Sequence, residues 1–270
     1  MSELPLRCET VDGIRLLTLN RPQRRNALSP ELICRLADAI VAANADAEVR
    51  VLVLTGSGHQ AFCSGGDLET AIPLMTGARD AQDDWDRRLL ADPLVMQASS
   101  LRGFPLHKPV VAAVNGHCMA AGMELLLGTD LRIASCDARF GLPEVRRGII
   151  PFAGSLVRLP AQVGHANAMM LMLTGEPIDA AEALRIGLVN EVVAAQDVLP
   201  RAMQRARQIA ANAPLAVQAV KRVAVEACGL PQAQGFRLED EAKALLMVTE
   251  DAREGPRAFL EGRAPVFRGR

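Results

Sequence analysis

Residues 110–130 read VVAAVNGHCMAAGMELLLGTD, and this stretch decides the fold class. Val110–Val114 is a short, wholly apolar run that ends at a turn signal, which predicts a buried strand. The turn is Asn115-Gly116, and the apolar residues near 119–127 predict a helix. Residues 131–134 predict a second strand. A strand, a helix and a strand in this order are typical of an α/β core.

The chain before this stretch starts with a hairpin pattern and then alternates between helix and strand. Leu6–Val11 and Ile14–Leu19 are β-type runs, and Asp12-Gly13 between them is a hairpin signal because both residues tolerate a positive φ. Residues 29–44 predict a helix, because Ser-Pro-Glu at its start supplies an N-cap, a first-position proline and a first-turn acid. Residues 50–55 predict the next buried strand.

Strand signals become sparse after about Pro160. A last short strand is predicted at 188–193. Helices are predicted at 165–173, 180–186, 197–212, 215–227, 233–248 and 250–260. We therefore expect an α/β core at residues 1–196 and a helical region at residues 197–270. The helical pattern leaves open whether that region covers its own core or packs on another subunit.

Composition and charge exclude several classes of protein. With 50% hydrophobic and 23% charged residues, the chain is not mostly disordered. Its net charge of -1, with seven Phe, one Trp and no Tyr, argues against a nucleic-acid partner. The most apolar stretch contains Asn115, His117 and Glu124, which argues against a membrane span. The N-terminal residues have no signal-peptide pattern, so we expect a cytoplasmic protein.

The cysteines and histidines do not form a recognisable site. The six cysteines contain no C-x-x-C pair, which fits neither a zinc site nor a disulfide framework. We expect them to be buried, reduced thiols, and we expect no metal site. The four histidines are isolated in the sequence, and a structural or surface role is favoured for each.

Two loops have the features of a reaction site. The first is AFCSGGDL at residues 61–68, where two glycines and Asp67 precede a helical run. Such a loop can present free backbone N–H groups to a negative charge. The alternative is a plain turn with Asp67 as the N-cap.

The second loop is NGHCMAAGME at residues 115–124. Ala120, Ala121 and Gly122 are small enough for another backbone or a ligand to approach closely. Glu124 lies in an otherwise apolar helix, and burial should raise the pKa of its carboxyl group, which suits a proton carrier. The alternative is that Glu124 reaches solvent or pairs with an arginine such as Arg132.

A second acid, Glu144, follows a turn at FGLPE. Two acids near two loops that present N–H groups would form a proton-transfer site with an oxyanion hole.

Six stretches of the chain resemble the enoyl-CoA hydratase/isomerase (crotonase) superfamily, in the same order along the sequence. They are NRPQRRNALS (20–29), AFCSGGDL (61–68), residues 110–130 as quoted above, ARFGLPEVRRGIIPFAG (138–154), LTGEPIDAAEALRIGLVNEVV (173–193) and EDAREGPRAFLEGRAP (250–265). The resemblance covers nearly the whole chain. It implies a spiral of ββα units followed by a helical trimerisation region, and an assembly of three subunits or of two trimers.

The resemblance also implies a substrate and a set of site residues. The substrate is an acyl-CoA thioester, and no separate cofactor is expected because CoA is part of that substrate. The backbone N–H groups of Gly66 and Ala121 would hold the thioester oxygen, while Glu124 and Glu144 would activate water and exchange protons. The residues expected to contact CoA or substrate are Arg24, Arg25, Ala27, Ser64, Asp67 and Leu68. For the two arginines, a solvated surface role is an equal alternative.

The expected reaction is the reversible addition of water to a trans-2-enoyl-CoA, giving a 3-hydroxyacyl-CoA. An enoyl-CoA isomerase, which needs one main acid, is the alternative within the same fold. A non-catalytic acyl-CoA binder or an RNA-binding member is disfavoured by the neutral charge and by the presence of both acids.

The sequence departs from the family pattern at three places. Ala120-Ala121-Gly122 replaces three glycines, and Phe152 lies where many members have glycine in I-P-G-A-G-G. Leu260 follows Phe259 where the family often has a lysine that reaches the CoA of a neighbour. Residues 69–105 correspond to the region that varies with the acyl chain.

Overall fold

The computed structural model describes residues 4–270. Residues 1–3 belong to the segment without a signal-peptide pattern and lie outside the described part. The strands are β1 (Leu6–Val11), β2 (Ile14–Leu19), β3 (Val51–Gly56), β4 (Ala61–Cys63), β5 (Val110–Val114), β6 (His117–Met119), β7 (Leu131–Ser135), β8 (Arg139–Gly141), β9 (Ile178–Asp179) and β10 (Glu191–Val193).

Helices connect and cover these strands. They are α1 (Pro30–Ala45), α2 (Ala71–Met75), α3 (Asp84–Ala91), α4 (Pro93–Ser99), α5 (Ala121–Leu127), α6 (Ser155–Val163), α7 (His165–Thr174), α8 (Ala180–Arg185), α9 (Val198–Ala210), α10 (Pro214–Glu226), α11 (Gln232–Leu246) and α12 (Glu250–Leu260). The mixed α/β class expected from the sequence is confirmed.

The strands form two sheets. The larger is six-stranded with the order β1-β2-β3-β5-β7-β10, and the smaller is four-stranded with the order β4-β6-β8-β9. β1 and β2 pair as an antiparallel hairpin, and the remaining pairs of the larger sheet are parallel. Asp12 and Gly13 have φ of 53° and 74°, which is the positive-φ turn predicted between β1 and β2.

The smaller sheet corrects the predicted elements. A helix was expected from about residue 119, but His117–Met119 forms β6 and α5 starts at Ala121. The strand expected at 188–193 is present only at Glu191–Val193. β4, β6 and β8 have three residues each, which is too short for a periodic apolar pattern, so the sequence did not predict them.

The core lies on both faces of the larger sheet. One face packs against α1, α4 and α5, and Leu52, Leu54 and Ala112 of the sheet point toward these helices. The other face packs Val51 and Val53 against α9. This alternation along one strand follows from the two-residue period of side chains in a β-strand. α9 falls within the expected helical region 197–270, and it is packed on the sheet.

Thiol burial differs from expectation at three positions. Cys34, Cys63 and Cys118 are buried, as expected, whereas Cys8, Cys136 and Cys228 are exposed. The expectation of six buried thiols is therefore wrong for the second group. None of the helices described is long and apolar enough to span a bilayer.

Candidate active site

The two candidate loops meet because their preceding strands are neighbours. β4 and β6 pair in parallel, with Ala61 opposite His117, so the loops that follow them leave the same edge of the smaller sheet. A Cβ added to Gly65 would lie 2.7 Å from the Ala120 Cβ and 3.5 Å from the Ala121 nitrogen. Gly65 also has a φ of 104°. A side chain at Gly65 would therefore strain the backbone and push the loops apart.

Gly66 and Ala121 each present a free backbone N–H group. Leu28 donates its N–H to the Gly65 carbonyl at 2.8 Å and accepts the Asp67 N–H at 3.0 Å, which fixes the loop around Gly66. No acceptor among residues 4–270 takes the Gly66 N–H. Ala121 is the first residue of α5, so its N–H has no acceptor within the helix. Both residues line one cavity.

The stretch Ala120-Ala121-Gly122 shows which position requires glycine. A Cβ on Gly122 would lie 2.5 Å from the Cys63 carbonyl oxygen, so the helix could not pack against β4 with a larger residue there. Ala120 adopts φ 52° and ψ −127°, a conformation that L-residues rarely adopt. The departure from three glycines therefore leaves backbone strain at Ala120.

Glu124 is a buried acid in the wall of this cavity. Its side chain is 2% exposed, and Oε1 accepts the Ala153 N–H at 2.5 Å and the Ser155 Oγ hydroxyl at 3.3 Å. The pKa of Glu124 is raised to about 7, because burial and, to a smaller extent, the nearby Glu144 carboxylate raise it more than the hydrogen bonds from Ala153 and Ser155 lower it. The raised pKa expected from the sequence is confirmed.

The alternative partner for Glu124 is wrong. The Arg132 guanidinium is buried and donates to the Leu188 carbonyl and to Gln162 Oε1, among other acceptors, and not to Glu124. Glu124 is therefore an acid without a cationic partner among its hydrogen bonds.

Glu144 is the second buried acid of the cavity. It lies in the short 3-10 turn Pro143–Arg147 that follows β8, and 6% of its surface is exposed. Within the described chain, Glu144 Oε2 is buried and has no hydrogen-bond partner. Burial raises the pKa of this carboxyl group, against the lowering effect of the Arg147 charge. An unpartnered oxygen of this kind is free to hold water or substrate.

A cavity of about 470 Å³ joins these groups. Every site residue expected from the sequence lies in its wall. These are Arg24, Arg25, Ala27, Ser64, Gly66, Asp67, Leu68, Ala121, Glu124 and Glu144. The cavity is also lined by residues that the sequence did not predict for the site, namely Glu69, Ile72, Met119, Arg147 and Ile149. Only Arg147 had a usable signal, as a cation three residues after Glu144.

Two of the expected CoA contacts already have partners. Arg24 forms a two-point ion pair with Glu69 at 2.7 and 2.9 Å, on an exposed surface. Asp67 is buried and accepts from Arg21 Nη1 at 2.8 Å and from the Glu69 N–H at 2.9 Å. Asp67 therefore closes the turn before α2 and also lines the cavity, but the N-cap of α2 is Thr70, so the N-cap alternative for Asp67 is wrong.

The histidines take no part in the cavity wall. His59, His107, His117 and His165 are exposed, which confirms the surface role expected for them. No group of three or more His, Cys, Asp or Glu within residues 4–270 is arranged to hold a metal ion.

The geometry supports chemistry at a carbonyl group. Two preorganised N–H donors can stabilise negative charge on one oxygen, and a carboxyl group whose pKa is about 7 can give or take a proton near neutral pH. The family model described as enoyl-CoA hydratase/isomerase matches residues 9–270 of this chain. The chain belongs to the enoyl-CoA hydratase/isomerase family.

Relatives of this family match the chain over nearly its whole length. Enoyl-CoA hydratase EchA19 of Mycobacterium tuberculosis is 39% identical over 255 residues, covering 94% of this chain and 93% of that protein. (E)-Benzylidenesuccinyl-CoA hydratase of Thauera aromatica is 38% identical, covering 98% of this chain and 100% of that protein. The crystal structure of an enoyl-CoA hydratase from Bacillus anthracis superposes with a TM-score of 0.89 at 32% identity, covering 98% of this chain and 100% of that one.

Proposed function

We propose that this enzyme is a trans-2-enoyl-CoA hydratase, which adds water reversibly to give a 3-hydroxyacyl-CoA. The observation that supports this most is the pair of buried acids in one cavity. Glu124 and Glu144 both have raised pKa values, and the N–H groups of Gly66 and Ala121 lie in the same wall. Hydration needs two proton transfers, and two carboxyl groups supply both.

The proposed steps balance without a redox change. The thioester oxygen accepts the Gly66 and Ala121 N–H groups, which stabilise the enolate charge that develops when C3 is attacked. One carboxylate accepts a proton from water while the water oxygen bonds to C3. A proton from a carboxyl group is then delivered to C2. The C2–C3 double bond becomes single, and the water proton replaces the one donated.

Glu144 distinguishes hydration from the isomerase alternative. A shift of the double bond between C3 and C2 needs one main acid, whereas this cavity holds a second one. Because Glu144 Oε2 is buried and has no partner in the described part of the chain, it is free to orient the attacking water.

Glutamine variants test the two-acid mechanism. We expect Glu124→Gln and Glu144→Gln each to lower kcat/KM for crotonyl-CoA hydration by about a hundredfold or more, the low end of general acid–base effects. The matched control is Glu182→Gln, which removes the charge of an acid paired with Arg185 outside the cavity wall. If Glu124→Gln kept near-full hydratase activity while Glu144→Gln lost it, an isomerase-type site would replace the proposal.

We also propose assembly as a trimer or as a dimer of trimers. The helices α10–α12 and the turn between α11 and α12 expose large apolar side chains, which a monomer would leave in water. They include Val220, Val225, Phe236, Leu245, Met247, Val248, Phe259 and Leu260. Light scattering at micromolar concentration tests this, and a stable monomer would refute it.

Two expectations from the sequence stay predictions. We expect hydration without any separate cofactor, which activity after dialysis against a chelator would test. We expect a cytoplasmic location, which cell fractionation would test.

A further inference from the structure

A second, smaller cavity adjoins the first at Glu124. Its volume is about 50 Å³, and it is lined mainly by apolar side chains such as Ile33, Met75 and Met96. The residues common to both walls are Gly66, Ile72, Ala121, Glu124 and Phe152. These five residues form the neck between the main cavity and what we call the inner pocket.

The neck fixes which part of an acyl chain enters the inner pocket. A thioester oxygen held by the Gly66 and Ala121 N–H groups places C2 and C3 beside Glu124. Carbons beyond C3 would then enter the inner pocket, because Gly66, Ala121 and Glu124 also line it. Ile72 and Phe152 are the large apolar side chains that line both cavities, so a chain that enters the inner pocket contacts them.

Hydrogen bonds hold the Phe152 backbone in place. Arg102 Nη1 donates to the Phe152 carbonyl at 3.2 Å, and the next N–H, from Ala153, donates to Glu124 at 2.5 Å. The opposite side of the neck is also held, because Arg79 Nε donates at 2.8 Å to the carbonyl of Thr70, directly before α2. The Phe152 ring therefore cannot leave the neck by a backbone shift without breaking these bonds.

The size and charge of the inner pocket define a substrate class. A site needs roughly 10–15 Å³ for one water-sized group, so the pocket holds about three to five non-hydrogen atoms. Its described wall contains no Arg, Lys or His, and the Glu124 carboxyl group lies at the entrance. A tail that ends in a carboxylate would be desolvated without a cation and repelled by Glu124.

We propose that Phe152 is a specificity-determining residue that restricts this enzyme to enoyl-CoA thioesters with an uncharged acyl chain of up to about eight carbons. The limit adds the three to five carbons of the inner pocket to the first three of the chain. The inference rests on the proposed hydratase function. It assigns to Phe152 the selection of the substrate, in addition to the chemistry of the two acids.

The test compares kcat/KM for 2-enoyl-CoA thioesters of four, six, eight and twelve carbons. We expect the wild-type value to fall at least tenfold between eight and twelve carbons. Phe152→Ala removes a ring that lines both cavities, so it enlarges the inner pocket as well as the neck and should raise the ratio of the twelve-carbon to the six-carbon value at least tenfold. The matched control is Val157→Ala, an apolar truncation five residues later whose side chain is 78% exposed. Its ratio should equal that of the wild type. If Phe152→Ala does not fold, Phe152→Leu should give a smaller shift in the same direction.

Two results would overturn the inference. One is a wild-type enzyme that hydrates the twelve-carbon substrate within twofold of the six-carbon one. The other is a folded Phe152 variant whose ratio equals the wild-type ratio. Calorimetry of hexanoyl-CoA and dodecanoyl-CoA binding tests chain-length selection separately from the proposed hydratase function, because binding needs no turnover. Selective binding without hydration of any substrate would refute the hydratase and keep the inference, whereas hydration without selectivity would do the reverse.

Discussion

Ser155→Ala is expected to move the pH dependence of the reaction to higher pH. Ser155 is fully buried, and its Oγ hydroxyl donates to Glu124 Oε1 at 3.3 Å. This donor stabilises the ionised form of Glu124 and so lowers its pKa, whereas burial raises it, and the net pKa is about 7. Removal of the hydroxyl leaves burial less opposed, and the pKa rises further.

The magnitude follows from the length of the lost bond. A hydrogen bond to a charged group contributes about 1.5 to 3 kcal/mol, and 3.3 Å is long enough to favour the low end. Because about 1.4 kcal/mol corresponds to one pH unit, we expect a shift of about one unit. The Ala153 N–H still donates to Glu124 at 2.5 Å, so the carboxylate is not left without a donor.

The assay is the pH profile of kcat/KM for crotonyl-CoA hydration between pH 5 and 9. The limb of the profile that reports Glu124 should move to higher pH. This holds whether the reaction needs the carboxyl group ionised or protonated, because the midpoint of the limb is the pKa of Glu124 in either case. The matched control is Ser135→Ala. Ser135 is also fully buried, but its Oγ accepts the Asp137 backbone N–H and has no hydrogen bond to Glu124 or Glu144. A limb that stays in place or moves to lower pH in folded Ser155→Ala would refute the assigned role of the hydroxyl.

The remaining predictions concern the oxyanion donor, the pH dependence of stability and one buried ion pair. Ala121→Pro, if circular dichroism shows it folded, should lower turnover by roughly a hundred- to a thousandfold because it removes the N–H, whereas Ala121→Gly should stay within about tenfold. Wild-type turnover in the folded proline variant would place the oxyanion site elsewhere. Burial raises the Glu124 pKa from 4.5 to about 7, so the folded state disfavours ionisation and wild-type stability falls as pH rises through that range. Urea unfolding should therefore show Glu124→Gln gaining up to about 3 kcal/mol over the wild type between pH 4.5 and 8, and a pH-independent difference would contradict this. Asp86→Asn, which breaks the buried two-point pair with Arg79, should lower the free energy of unfolding by about 3 kcal/mol, whereas Asp84→Asn at an exposed pair should lower it by less than about 1 kcal/mol. Equal losses would show that burial does not set the strength of these pairs.

Local patterns predicted the longer elements well. The bounds predicted for β1, β2 and β5 are those observed, and α1 begins at the expected Ser29 cap, whose side chain accepts the Leu32 N–H. These features depend on residues close together in the chain, such as apolar periodicity, turn dipeptides and caps. The same local patterns did not predict the strands of the smaller sheet. Its strands are three residues or shorter, and they are defined by pairing with residues far away.

The sequence by itself determined the α/β class and placed both acids and both N–H loops at their positions in the chain. It did so because strand-turn-helix signals are local, and because an acid in an apolar helix is unusual wherever the helix packs. Only the tertiary structure decided that Ala153 and Ser155 hold Glu124, that Glu144 Oε2 has no partner in the described chain, and that Phe152 lies in the neck of the inner pocket. Glu124 and Ala153 are 29 residues apart in the chain, and their contact exists only after α5 and the loop before α6 pack together. The pKa of Glu124 and the volume of the inner pocket follow from such packing, because burial and cavity shape are set by residues distant in sequence.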